Sequence, residues 1–256
     1  MKTTISNNQL AAAIAAVRTK SPLVHNITNY VVMNNSANAL LAIGASPVMA
    51  HWPREVEEMT SIADSLVLNI GTLDDAWLEG MRSAGAAASR RGIPIVLDPV
   101  GAGATKARTE ACLELISICR PTIIRGNASE IMALVDAGVR SNGVDSSALS
   151  KDAVGAARQL AAETGVVVVI SGATDYITDG CVVHTVEGGD PIMTCVTGMG
   201  CTSTALIGAF AATIEDPLVA ATAAMAVMSL AGERAAAVSR GNGSMQVNFL
   251  DELYRL

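Results

Sequence analysis

TCVTGMGCTSTALIGAF, residues 194–210, is the stretch around which the chain is organised. Its first half, Thr197-Gly198-Met199-Gly200-Cys201, is too small and glycine-rich for a comfortable helix interior. From Met199 onward Ala205, Leu206, Ala209 and Phe210 fall at spacings that form one buried side. The pattern predicts a tight turn feeding a helix N-terminus. Such an end leaves its first N–H groups unpaired and partly positive, which suits a phosphate. Gly198 and Gly200 would let the backbone approach that anion with no Cβ in the way. A Gly-containing turn before an ordinary packed helix fits the same letters, so the choice depends on what else gathers there.

Working outward, apolar β-rich segments alternate with helical ones. Strands are expected over 23–27, 46–50, 65–70, 93–97, 122–125 and 166–170. Helices are expected over 9–17, 31–43, 54–64, 73–91, 109–118, 126–135 and 147–164. Gly44, Gly92 and Gly165 read as helix C-caps, and Asn127 with Glu130 as a capping box. Asp179-Gly180 marks a hairpin between 175–177 and 181–186. Residues 139–146 read as a polar surface loop. Two helices follow the central motif, at 201–214 and 217–240, and the tail 243–256 reads as a short strand and helix. The order predicts one α/β domain spanning 1–256, a three-layer α/β/α sandwich with a mostly parallel central sheet. Ligands then bind beyond the carboxyl ends of the strands, where Asn26, Thr72, Asp98, Arg125, Ser171 and the 198–201 turn should emerge.

The bulk properties agree with that class. The chain has 256 residues, 50% of them hydrophobic and only 3% aromatic, so the core is built from Ala, Val, Ile, Leu and Met. A net charge of -7 without any Lys/Arg run argues against nucleic acid or an anionic membrane as partner. The apolar run from Pro217 to Leu230 is expected to be too short to span a bilayer. MKTTISNNQL has no apolar signal core, so a cytoplasmic location is expected. Five irregularly spaced cysteines suggest neither a disulfide framework nor a zinc site. Cys112 and Cys119 read as buried thiols. Cys201 differs in lying at the helix start, which should lower its pKa.

The groups expected to converge are two carboxylates, Asp98 and Glu130, the cation Arg125, and the 198–200 turn. Phosphoryl transfer needs positive potential for the migrating group, a metal held by carboxylates or water, and a group orienting the acceptor hydroxyl. Asp98 or Glu130 suits Mg²⁺ held through water, and Arg125 suits phosphate oxygens. Each has a plainer reading: Glu130 as helix cap, Asp98 as turn residue, Arg125 as a surface ion pair. No Walker motif and no GxGxxG after the first strand is present, which removes P-loop ATPases and most dinucleotide enzymes.

These residues sit in a set of segments that resembles the hydroxyethylthiazole kinase family of the ribokinase-like group. The segments are PLVHNITNYVV (22–32), ALLAIGASPVMA (39–50), LNIGTL (68–73), LDPVGAG (97–103), RGNASEIMAL (125–134), TDG (178–180), GGDPIM (188–193) and TGMGC (197–201). The resemblance implies ATP- and Mg²⁺-dependent phosphorylation of 4-methyl-5-(2-hydroxyethyl)thiazole in thiamine salvage. It implies Arg125, Ser171 and Asn127 on the nucleotide side, and Met49, Gly198 and Asn26 beside the thiazole. Asp98 and Glu130 would stand near Mg²⁺, with Cys201, Gly198 and Gly200 at the transfer point. Cys201 falls where sugar kinases of the wider group carry a catalytic Asp. It also implies a homotrimer with active sites near subunit interfaces. Relatives usually have Thr at Met199, a mild departure if backbone N–H groups hold the anion. A kinase for hydroxymethylpyrimidine, or a binding protein that has lost catalysis, are the competing readings.

Overall fold

The computed structural model describes residues 1–136 and 150–256. In chain order the elements are β1 (Lys2–Thr3), α1 (Asn7–Lys20), β2 (Leu23–Ile27), α2 (Met33–Ile43), β3 (Ser46–Val48), α3 (Val56–Ile62), β4 (Ser65–Asn69), α4 (Asp75–Arg91) and β5 (Ile95–Asp98). Then come α5 (Lys106–Cys119), β6 (Ile123–Asn127), α6 (Ala128–Val135), α7 (Val154–Thr164), β7 (Val167–Ser171), β8 (Thr174–Thr178), β9 (Val183–Glu187), α8 (Met199–Ala211), α9 (Pro217–Val238) and α10 (Asn242–Arg255). Short 3-10 turns cover Ser150–Ala153 and Pro191–Cys195. The loop expected at 139–146 and the helix start expected at 147 lie outside the described residues.

The strands form one sheet in the order β1-β9-β8-β7-β6-β5-β4-β2-β3. Neighbours from β3 through β7 are parallel, and β8, β9 and β1 add an antiparallel flank. Because strand side chains alternate between faces, β4 sends Val67 to one side and Leu66 and Leu68 to the other. In β7 Val167 and Val169 part from Val168 and Ile170 in the same way. One core lies under α1, α2, α8, α9 and α10, the second under α4 to α7, so the sandwich has three layers. Small residues let helices approach the sheet closely. At Gly208 of α8 a Cβ would stand 2.7 Å from Val67 Cγ2.

Gly44, Gly92 and Gly165 cap their helices in left-handed conformation, and the hairpin turns at Asp179-Gly180. Three expectations change. The tail carries no strand: Met245, Phe249 and Leu253 recur every four residues and share a buried face of α10, while Val247 is exposed. Lys2–Thr3, not expected as a strand, pairs with the edge strand β9. The apolar run from Pro217 becomes a 22-residue helix with the length and composition to cross a membrane, but 78% of its most apolar window is buried within the protein. It is a core helix of the first layer.

Candidate active site

Four neighbouring parallel strands end together. Asn69 of β4 is in register with Asp98 of β5, and Asn127 of β6 with Ser171 of β7. Asp98 is fully buried. Its Oδ2 accepts hydrogen bonds from Asn69 Nδ2 and from Thr204 Oγ1 of α8, each at 2.8 Å, and Arg125 Nη1 lies 3.9 Å away. Its Oδ1 has no partner. Burial pushes the carboxyl up to about 6; Arg125 opposes this, Glu130 adds to it, and Thr204 and Asn69 oppose it further. Arg125 also donates to the Ser171 hydroxyl. The guanidinium rests against the start of α8: a Cβ on Gly200 would come within 2.6 Å of Arg125 Nη1.

Gly198 is the N-cap of α8, at φ 82°, and no side chain caps that end. The first-turn N–H groups are therefore left for a ligand or water. A Cβ at Gly198 would meet Val32 Cγ1 at 2.5 Å. The two glycines thus make room for Val32 and Arg125, a use of their small size beyond the anion approach expected from sequence. Met199 is buried in the core beneath the turn.

Cys201 stands in the first turn of α8, half-buried, with Asn29 Nδ2 donating to its Sγ at 3.4 Å. The expected fall in its pKa is not found. Burial raises the thiol to about 11, with the Asp98 charge adding to the rise, and the nearby Asn69 amide, the Arg125 charge and the Asn29 hydrogen bond do not offset them. The position at a helix start is outweighed by lost solvation and a like charge.

Glu130 performs the capping-box role and a second one. Its Oε2 accepts from Asn127 N and its Oε1 from Gly101 N, both at 2.8 Å, so it fastens the loop after Asp98 to the end of β6. Arg108 of α5 ties the same region from the other side, donating to the carbonyls of Ile70, Gly71 and Val100 at 2.7–3.0 Å. Among the described residues no group of three or more His, Cys, Asp or Glu side chains is arranged to hold a metal ion. Asp98 still offers an unpartnered buried carboxylate oxygen, with the Glu130 charge beside it. That donor set fits Mg²⁺ that keeps most of its waters and takes few protein ligands.

The structure brings Asp98, Glu130, Arg125, Ser171, Asn127, Gly200 and Cys201 together at this end of the sheet. Asn127 Oδ1 is occupied by Glu130 N and the Ser129 hydroxyl. Asn26 is buried on β2 with its amide on the Val24 carbonyl, and no hydrogen bond joins it to Cys201. Asn29, three residues on, makes that contact. Met49 lies half-buried just past β3 at the sheet edge. Sequence reading did not single out Asn69, Thr204 or Arg108. Asn69 had a signal, a polar residue closing the apolar run SLVL. His25, far from metal spacing, is held by Thr60 and the Ala50 carbonyl.

A family model described as the hydroxyethylthiazole kinase family matches residues 14–256. The chain belongs to that family. A hydroxyethylthiazole kinase of Syntrophus aciditrophicus is 56% identical over 96% of this chain and 91% of its own length. One from Leptospira biflexa is 53% identical over 100% of this chain and 94% of its own. The solved hydroxyethylthiazole kinase of Pyrococcus horikoshii OT3 superposes with a TM-score of 0.89 at 44% identity, covering 97% of this chain and 94% of that one. A Staphylococcus aureus pyridoxal kinase solved with AMP-PCP shares the fold, with a TM-score of 0.65 at 18% identity over 83% of this chain and 88% of that one. The three-layer sandwich is ribokinase-like, and the chain is a member of a kinase family.

Proposed function

We propose that this chain transfers the γ-phosphoryl group of ATP, with Mg²⁺, to the hydroxyl of 4-methyl-5-(2-hydroxyethyl)thiazole, giving the thiazole phosphate and ADP in thiamine salvage. The observation that carries the reading is identity of 56% to a hydroxyethylthiazole kinase over 96% of the chain. In this reading Arg125, Ser171 and Asn127 face the nucleotide, and Met49, Gly198 and Asn26 line the acceptor side.

The hydroxyethyl oxygen attacks the γ-phosphorus in line, forming the new P–O bond as the bond to the β–γ bridging oxygen breaks. The uncapped first turn of α8 and Arg125 oppose the charge on the equatorial oxygens. Mg²⁺, when bound, would be held through water by Asp98 and Glu130 and would neutralise phosphate charge. The hydroxyl proton passes to Asp98 Oδ1. Asp98, at about 6, is largely ionised at neutral pH and has a free acceptor oxygen. Cys201, at about 11, keeps its own proton there and orients the hydroxyl through its S–H. In this reading the protein works in the cytoplasm, where ATP is supplied, as a homotrimer. The exposed Tyr30, Val31 and Trp52 support a covering neighbour, and light scattering at three times 26.2 kDa is the expected mass.

The test is ADP formation from ATP with the thiazole alcohol, with hydroxymethylpyrimidine, and with no acceptor. Thiazole-dependent turnover well above both controls is expected. A preference for the pyrimidine, or no acceptor-dependent turnover at all, overturns the proposal.

A further inference from the structure

Two buried carboxamides lie between Cys201 and Asp98, and the chemistry above gives neither a task. Asn29 follows β2 and Asn69 ends β4; they are 4% and 1% exposed. Neither amide is free to flip. A backbone N–H only donates, so Val31 N, at 3.1 Å, identifies the Asn29 atom that it meets as the carbonyl oxygen. Gly71 N, at 3.0 Å, does the same for Asn69. The two nitrogens then have fixed targets. Asn69 Nδ2 donates to Asp98 Oδ2 at 2.8 Å, while Asn29 Nδ2 donates to Asn69 Oδ1 at 2.8 Å and to Cys201 Sγ at 3.4 Å.

We infer that Asn29 and Asn69 are positioning residues, a non-titrating amide bridge that sets the direction of the Cys201 thiol and selects which Asp98 oxygen faces the acceptor. The inference rests on the reading of Cys201 as the group that orients the acceptor hydroxyl. With Sγ already receiving a hydrogen from Asn29, the S–H points to another acceptor. With Oδ2 of Asp98 filled by Asn69 and Thr204, Oδ1 is the oxygen left for the proton. The backbone is shaped around the bridge: a Cβ at Gly71 would stand 2.6 Å from Asn29 Nδ2. Arg108 holds the carbonyls of Ile70 and Gly71, steadying the peptide N–H that orients Asn69.

A buried pair that only fills space would cost the same whatever stands at 201. Acting through the thiol, it would not, and a double-mutant cycle separates the two. Asn29→Ala, and Asn29→Asp, which keeps the shape but cannot donate, should each lower kcat by roughly tenfold with the KM for ATP within about twofold of wild type. In a Cys201→Ala background, Asn29→Ala should change kcat by less than about twofold. An equal loss in both backgrounds, or a loss confined to the KM for ATP, overturns the bridge. The cycle is run with whichever alcohol the wild-type protein phosphorylates, so a wrong acceptor in the proposed function leaves this test intact. A second measurement needs no turnover. In ¹⁵N-asparagine-labelled protein, Cys201→Ala should shift the Asn29 carboxamide signals and Asp98→Asn those of Asn69, and unmoved signals also overturn it.

Discussion

At Gly200 the absence of a side chain lets the Arg125 guanidinium lie on the first turn of α8. Gly200→Ala keeps an allowed helical backbone but forces Nη1 away from a Cβ at 2.6 Å. It should lower kcat by at least about tenfold with little change in the thermal midpoint, since it misplaces a charge rather than opening the core. Gly198 would be a poorer probe. Its φ of 82° and Val32 at 2.5 Å mean that any side chain there strains the fold as well as the site. For the proton, the kcat/KM profile should fall on the acid side near pH 6 as Asp98 is protonated. Cys201→Ser, which retains a hydroxyl donor, should keep most single-turnover activity, while Asp98→Asn should lose nearly all of it. The reverse ranking would assign the base role to Cys201 instead of Asp98. Sequence alone named these residues but missed the sign of the Cys201 shift, because burial and the Asp98 charge come from parts of the chain about a hundred residues away.

Helix ends were the most readable elements, since their signals are local. The Asn127/Glu130 capping box lies within four consecutive residues, and its two reciprocal bonds form as expected. Asn127→Ala should cost about 1 kcal/mol in urea unfolding. Because Glu130 also holds Gly101, Glu130→Gln should cost more than the cap alone: an amide presents one oxygen to two N–H donors. Equal losses for the two variants would show that the Gly101 bond contributes nothing. Elements defined by distant partners were harder to read. β1 exists only because β9, more than 180 residues on, offers an edge. The tail looked strand-like until α9 and α2 supplied the surface that its Met245, Phe249 and Leu253 face covers. Asn29 and Asn69 are 40 residues apart, and no spacing rule links them.

For the whole molecule, the alternation of strand and helix segments was enough to foresee a three-layer sandwich on one mostly parallel sheet, because parallel strands buried on both faces leave few other arrangements. The central carboxylate lowers the stability of that arrangement. Asp98 rises from 3.8 to about 6, so the folded state binds its proton more tightly than the unfolded chain. The stability this contributes is complete below about pH 3.8 and is lost as pH rises through about 6. Asp98→Asn, neutral throughout, should therefore match wild type near pH 4 and exceed it by on the order of 1–3 kcal/mol at neutral pH. Urea melts at the two pH values check this, and a constant gap would contradict it.

The start of α8 is pinned by Thr204 on Asp98, by Asn35 on Thr202 at 3.1 Å, and by Arg125 against Gly200. Re-targeting this scaffold to a different alcohol would then leave that anchored end alone. Changes would be concentrated instead around Met49, the half-buried residue just past β3 that the proposed function places on the acceptor side, away from Asn29 and the start of α8.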